Sequence, residues 1–402
     1  MIRTTRRTLM AGAAAFTTLP ARAAEKKYAP GVSDSEILFG QTMPYSGPAS
    51  SYGTIGKSQA AYFAMINEQG GVNGRKLNFV SLDDGYVPPK TVELTRRLIE
   101  EDKVAFLFGP LGTPTTNATR KYVNAKKVPQ LFIASGATQF GDIEHYPWSI
   151  GWQPTYQIEG HIYAKYILQQ APDAKVAVLY QNDDSGRDYF KGIKDGLGEA
   201  AEKMLKAVAT YEVTDPTIDS QIVSLQQSGA DAFFMTGVPK FDAMAIRKAY
   251  DIGWKPKLFF ISSTGSSVAS GIRPAGPEKA IGVITAAYLK DPTDAQWAKD
   301  PAFLTWRAWL EKYYPSADLA DVNNVYGYST AQTLVQTLKQ CGDDLSRENI
   351  MKQALNLDFE LPMAQPGIRV KTSPTDGYPL KQMRLVRFDG SAWVPFGEAI
   401  SG

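Results

Sequence analysis

The amino-acid sequence predicts an α/β protein of two doubly wound parallel-sheet lobes that exchange the chain through a multi-strand hinge. From residue 36 short apolar strands alternate with amphipathic helices, and after residue 153 the same alternation restarts. The 402 residues, 44% of them hydrophobic, suffice for two cores of ordinary domain size. Short buried strands separated by helices imply parallel sheets covered on both faces.

In chain order, the first segment reads as an export signal. Arg3, Arg6 and Arg7 form a positive region, Leu9 to Leu19 a mildly apolar one, and "ARA" at 21–23 a small-x-small cleavage site. "TTRRTLM" resembles a twin-arginine signal, with general export as the alternative. "EILFGQTMP" then reads as a strand, and "GKSQAAYFAMINEQGG" as a helix stopped by Gly70-Gly71. "KLNFVSLDD" is a strand, and "PPKTVELTRRLIEED" a helix opened by prolines. "VAFLFG" and "VPQLFIAS" are buried strands on either side of a helix that starts near Thr115.

In the second block "TYQIEGHIYAKYILQQ" is a helix and "KVAVLY" a strand. "GRDYFKGIKDGLGEAAEKML" reads as one helix, followed by strand "AVATYEV", helix "IDSQIVSLQQSG" and strand "DAFFMTG". Helix "KFDAMAIRKAYDIGW" and strand "PKLFFISS" complete the alternation. The tail adds two helices, "FLTWRAWLEKYYP" and "VYGYSTAQTLVQTLKQCG", and a hairpin turning on Asp389-Gly390. The expected lobes are 36–152 with 286–358, and 153–285 with 359–402.

Charge narrows the partners. Four of the 43 basic residues lie in 1–23, leaving 39 against 41 acidic, with no Lys/Arg-rich run. Nucleic acid is not an expected partner. No apolar run reaches the length of a membrane span. The single cysteine, Cys341, makes no internal disulfide or thiolate metal site and reads as a small buried hydrophobe. No metal or cofactor is expected. Asp83 and Asp84 are adjacent on a strand and point to opposite faces, so they read as turn caps before Gly85 rather than as a catalytic pair. Trp152 and Trp254 read as core, or as part of a ligand cleft.

The chemistry concentrates in "FLFGPLGTPTTNATRKY", residues 106–122. It lacks the lysine of a phosphate-binding loop, and Gly109 and Gly112 are wrongly spaced for Gly-x-Gly-x-x-Gly. What remains is a helix N-terminus with hydroxyls at Thr113, Thr115 and Thr116. Unpartnered amides and the helix dipole there suit a single carboxylate, unless Thr115 simply caps the helix. "FIASGATQFGD" puts Ser135, Gly136 and Thr138 at the end of the next strand, the sheet edge where open α/β folds bind ligands.

The ordered set "MPYSGPASSYG", "GGVNGRKLNFVSLDD", "FGPLGTPTT", "VPQLFIASGAT", "NDDSGRDYFKGIKDGL" and "VYGYSTAQTL" resembles the leucine/isoleucine/valine-binding family of periplasmic receptors that feed ABC importers. The resemblance implies the type I periplasmic binding protein fold, a monomer in the periplasm and a permease partner. It implies that Thr113 binds a ligand carboxylate, that Gly136 and Thr138 meet its carboxylate and amine, and that Tyr52 packs on the ligand. The second lobe departs from the family. Where the amino-acid receptors carry two tyrosines and a glutamate that pairs with the ligand ammonium, the sequence has Ser185, Val238 and Thr264. A buried ammonium without that glutamate would be an uncompensated charge. The expected ligand is therefore a small carboxylate bound between the lobes on hinge closure, an acid with an apolar or aromatic remainder in preference to an amino acid or an amide. Asp183 and Asp184 are open to two readings, as caps of the helix at Gly186 or as contacts to an amine.

Two other functions are weaker. The same fold serves as a ligand sensor; the export signal argues against a cytoplasmic regulator but leaves a periplasmic one open. A hydrolase with Thr113 as nucleophile would need a base, and neither His145 nor His161 sits in a catalytic pattern. The protein is expected to carry its ligand unchanged.

Overall fold

Two separate sheets organise residues 26–401, which this computed structural model describes; the predicted export signal, 1–23, lies outside the described residues. After β1 (Lys27–Tyr28), the first sheet comprises β2 (Glu36–Met43), β3 (Lys76–Asp83), β4 (Leu107–Phe108), β5 (Gln130–Ile133) and β6 (Ser149–Gly151). All five run parallel, in the order β3-β2-β4-β5-β6. Helices α1 (Gly53–Glu68), α2 (Pro88–Glu100) and α3 (Thr113–Ala125) make the crossovers.

The second sheet begins with β7 (Val176–Gln181), β8 (Leu205–Tyr211), β9 (Ala232–Thr236), β10 (Leu258–Ile261) and β11 (Ile284–Ala287). These are parallel in the order β8-β7-β9-β10-β11, so both sheets share one winding. Around it lie α4 (Tyr156–Gln170), α5 (Asp184–Leu197), α6 (Ala200–Met204), α7 (Asp219–Gln227), α8 (Pro239–Asp251) and the short α9 (Arg273–Ala275). The chain then supplies α10 (Pro301–Tyr313) and α11 (Val322–Cys341) beside α1, followed by β12 (Asp344–Leu345) and α12 (Arg347–Ala354). β12 pairs with β1, and β13 (Asp358–Glu360) pairs with β14 (Arg369–Lys371). Finally β15 (Gln382–Phe388) returns antiparallel to β11, with β16 (Trp393–Pro395) and β17 (Ile400–Ser401) antiparallel to β15.

Three details differ from the sequence expectation. The second sheet is not purely parallel, because the predicted hairpin at Asp389-Gly390 attaches to its β11 edge. The long helix expected from residue 186 breaks at Gly198, whose φ of 56° leaves the helical region and separates α5 from α6. The pairs β1–β12 and β13–β14, and α12, carry too little periodicity to be read from sequence.

The first core is aromatic: Phe39 stacks on Phe106 at 5.0 Å and meets Phe63 edge-on at 5.2 Å. Trp152 and Trp254 belong to the core, their indole N–H groups donating to Thr333 Oγ1 and the Ala230 carbonyl. Cys341 is buried and its thiol is pushed up to about 12, which fits an inert hydrophobe. Asp83 accepts from the amides of Tyr45, Ser46 and Gly85, and Asp84 from the amide of Tyr86 and the Thr91 hydroxyl, so the pair builds turns.

Candidate ligand site between the two sheets

Each sheet reverses its winding at one place, between β2 and β4 in the first and between β7 and β9 in the second. Loops leaving such a switch point diverge to opposite faces and open a crevice at the strands' C-terminal ends. Here the two crevices face one another and enclose a cavity of about 100 Å³. Tyr52 follows β2, and Gly112 with Thr113 follow β4; Ser185 follows β7, and Gly237 with Val238 follow β9. Thr264, after β10, is on the wall as well.

Five of the seven positions singled out from sequence therefore meet: Tyr52, Thr113, Ser185, Val238 and Thr264. Gly136 and Thr138 are not on the wall. Bare of a side chain, Gly136 lets Pro154 and Tyr156 close over it, and its carbonyl accepts from the Tyr156 amide at 2.8 Å. Thr138 turns to α5, where its amide and hydroxyl both donate to Asp188 Oδ2 at 2.8 Å. That contact bridges the two sheets, as do Asn117 to Asp184 at 3.1 Å and the Tyr52 hydroxyl to the Thr264 carbonyl at 3.1 Å.

Helix ends set the electrostatics. α3 starts at Thr113 after Gly112 (φ 101°), and no side chain caps it. The Thr115 hydroxyl donates to the Leu111 carbonyl at 2.5 Å, and no amide of the first turn donates to it. Pro114 has no N–H and the Thr116 amide donates to the Gly112 carbonyl at 3.1 Å, which leaves the Thr113 and Thr115 amides without a partner among the described residues, while the Thr113 hydroxyl pairs with that of Ser135 at 2.7 Å. α8 is likewise uncapped after Val238. By contrast α5 is capped by Asp183, which accepts from the amides of Ser185 and Gly186, and α11 by Asp321. Asp183 thus takes the capping role, while Asp184 contacts Asn117 and Arg187. Neither lines the cavity. The hydroxyls of Ser185 and Thr264 are held by Asp183 and the Gly237 carbonyl.

Much of the rest of the wall is aromatic and comes from segments that carry no site signal in the sequence. Tyr156 opens α4 and stacks on Tyr189 of α5 at 4.2 Å between ring centroids. Tyr86, Tyr288, Tyr326 and Trp393 also line the space. Tyrosine in a helix's first turn or a hinge loop carries no local signal of a site. Among the described residues the wall has no lysine, arginine or histidine, and its one charged side chain is Asp291, just after β11. An anion in this cavity would be held by amides and hydroxyls, and the Thr113 hydroxyl is paired with another hydroxyl, that of Ser135.

Burial pushes the Asp291 carboxyl up from its ordinary 3.8 to about 6, against the Thr293 amide and hydroxyl that favour its charged form. A carboxyl whose folded value lies above its unfolded one binds a proton more tightly when folded. Its contribution is best below pH 4 and declines as pH rises to about 6, a loss on the order of 2–3 kcal/mol. Asp291→Asn is expected to remove this component. The stability difference between variant and wild type without ligand, from denaturant unfolding, should grow in the variant's favour between pH 4 and 6 and stay level above; a constant difference would refute it.

The periplasmic binding protein family model matches residues 36–392. The chain is 25% identical over 328 residues to a Leu/Ile/Val-binding protein homolog of Brucella abortus, covering 78% of this chain and 81% of that one. Among solved structures, a branched-chain amino acid ABC transporter protein from Thermus thermophilus with bound valine superposes with TM-score 0.80 at 18% identity, over 92% of this chain and 97% of that one. A solute-binding protein of an R. palustris ABC transporter in complex with 4-hydroxybenzoate superposes with TM-score 0.76 at 18% identity, over 91% and 97%.

Proposed function

Because the chain belongs to the periplasmic binding protein family, we propose that it is the substrate-binding component of an ABC importer and carries a small carboxylate with an apolar or aromatic remainder. The observation that carries this reading is the cavity wall itself: an uncapped α3 N-terminus beside Thr113, several aromatic rings, and no cationic side chain. A carboxylate there is met by amides and hydroxyls, two or three charge-assisted bonds of about 1.5–3 kcal/mol each. With an apolar wall this reaches micromolar affinity, about −8 kcal/mol.

Residues 36–152 with about 288–358 form one lobe, and 153–287 with 359–402 the other, the boundary expected at 285/286 being moved past β11, which ends at Ala287 in the second sheet. The acid docks on the first through Thr113. The second then closes by a hinge motion, and contacts such as Thr138–Asp188 hold the closed form that a membrane permease would recognise. Residues 1–23 would direct the chain to the periplasm.

A thermal-shift screen of the mature chain against branched-chain amino acids, aliphatic amides and aromatic carboxylates tests this. A micromolar ligand at millimolar concentration adds about 4 kcal/mol to the folded state. Aromatic acids are expected to raise the unfolding temperature while leucine and valine do not. A shift with the amino acids alone would overturn the aromatic reading.

A further inference from the structure

Asp291 follows β11 in the segment that leaves the second sheet, and it lines the cavity while being only 7% exposed. One of its oxygens is occupied: Oδ1 accepts from the Thr293 amide at 2.8 Å and from the Thr293 hydroxyl at 2.5 Å. No hydrogen bond from the described residues reaches Oδ2, and no lysine, arginine or histidine shares the wall. The carboxyl feels the charge of Asp321, and two residues on Asn323, in the first turn of α11, is also a wall residue. Asn323 is 7% exposed, and its Nδ2, on the side chain that faces the Asp321 carboxylate, makes no hydrogen bond of ordinary geometry. The wall thus carries an unused acceptor and an unused donor. A buried polar atom left in that state is costly unless something entering the cavity completes it.

The kind of group follows from the donor and acceptor inventory. An ammonium donates only, a carboxylate accepts only, and a hydroxyl does both. We propose that Asp291 is a specificity-determining residue whose free oxygen accepts a hydrogen bond from a hydroxyl of the bound acid, with Asn323 donating to that hydroxyl, so that the carried ligand is a hydroxylated aromatic acid. The inference rests on the reading of the cavity as the site of an aromatic carboxylate and narrows it. Sequence comparison sought a ligand-facing carboxylate after β7, β9 and β10, whereas this one comes after β11.

Calorimetric titration of the mature chain with benzoate and the three monohydroxybenzoates tests it, in wild type and in Asp291→Asn. That variant keeps an oxygen for Thr293 and replaces the free acceptor by a donor. In wild type the best hydroxybenzoate should bind at least about tenfold more tightly than benzoate, and in Asp291→Asn that ratio should fall to about one. A wild-type ratio near one, or a ratio unchanged by the substitution, overturns the assignment. Leucine is titrated in parallel to separate this inference from the reading beneath it. If leucine binds and the benzoates do not, the aromatic reading falls, and Asp291 pairs with an ammonium if Asp291→Asn weakens leucine at least tenfold. If leucine binding is then unchanged, both fall, as they do if neither class binds.

Discussion

Glu159→Ala is expected to lower the stability of the folded chain by about 3–5 kcal/mol. Glu159 sits on α4, is 1% exposed, and has no cation beside it. Four donors hold it instead: the Ser263 amide and hydroxyl, each at 2.6 Å, the Tyr163 hydroxyl at 2.8 Å and the Tyr189 hydroxyl at 3.2 Å. Burial pushes its carboxyl up, so the charge itself is costly, and removing it recovers part of that cost. The orphaned donors outweigh the recovery. Tyr163 has the Ile261 carbonyl as a second acceptor at 3.0 Å, but the Ser263 amide, the Ser263 hydroxyl and the Tyr189 hydroxyl are left buried at about 1–3 kcal/mol each. Ser263 and Tyr189 are also wall residues, so ligand affinity should fall along with stability. Glu159→Gln, with one acceptor kept and a donor turned toward donors, should lie between. Denaturant unfolding of the three proteins decides it, and a loss below about 1 kcal/mol for Glu159→Ala would show that the donors find other partners.

Gly192→Leu is expected to cost more than about 4 kcal/mol and to disturb the site from a distance. The helices α4 and α5 cross with their backbones in contact. A Cβ on Gly192 would lie 2.5 Å from the Gln157 carbonyl oxygen and 2.6 Å from its Cα. One on Gly160 would lie 2.7 Å from the Ile193 nitrogen, and one on Gly196 2.9 Å from the His161 Cα. Glycine inside a helix ordinarily disfavours it by about 1 kcal/mol relative to alanine, so propensity alone predicts that Gly192→Ala stabilises. The opposing atoms are backbone and cannot rotate away, so the overpacking cost of about 1–3 kcal/mol or more prevails even for alanine. A leucine forces the helices apart. Because the first turns of α5 carry Ser185, Gly186 and Tyr189 to the cavity, that displacement also reaches the ligand. Thermal unfolding of both variants tests the point: a raised midpoint for Gly192→Ala would mean that the crossing is looser than the glycines imply.

Much of the architecture is legible along the chain because its signals are local. Apolar runs such as "KVAVLY", prolines opening "PPKTVELTRRLIEED" and the Gly70-Gly71 stop each act within a few residues, and all three fall where the structure has β7, α2 and the end of α1. The site was legible only in part. Thr113 could be placed at a helix start, yet that no side chain caps this helix depends on the positions the fold gives its neighbours. Thr138 sits at the right sheet edge, but its hydroxyl belongs to Asp188 on another helix.

The sequence by itself determined two wound α/β units, helix starts at the strand ends, the lack of a cationic patch, and the absence of a glutamate at Thr264. These follow from periodicity, turn chemistry and residue identity, none of which needs a distant neighbour. Only the tertiary structure decided that the two switch points face each other, that tyrosines from a helix start and a hinge segment complete the wall, and that Asp291 is its single charge. Those facts depend on contacts between residues more than a hundred positions apart. What brings such residues together is the burial of the two cores and the fixed hand of the crossovers, not any pattern within reach of one segment.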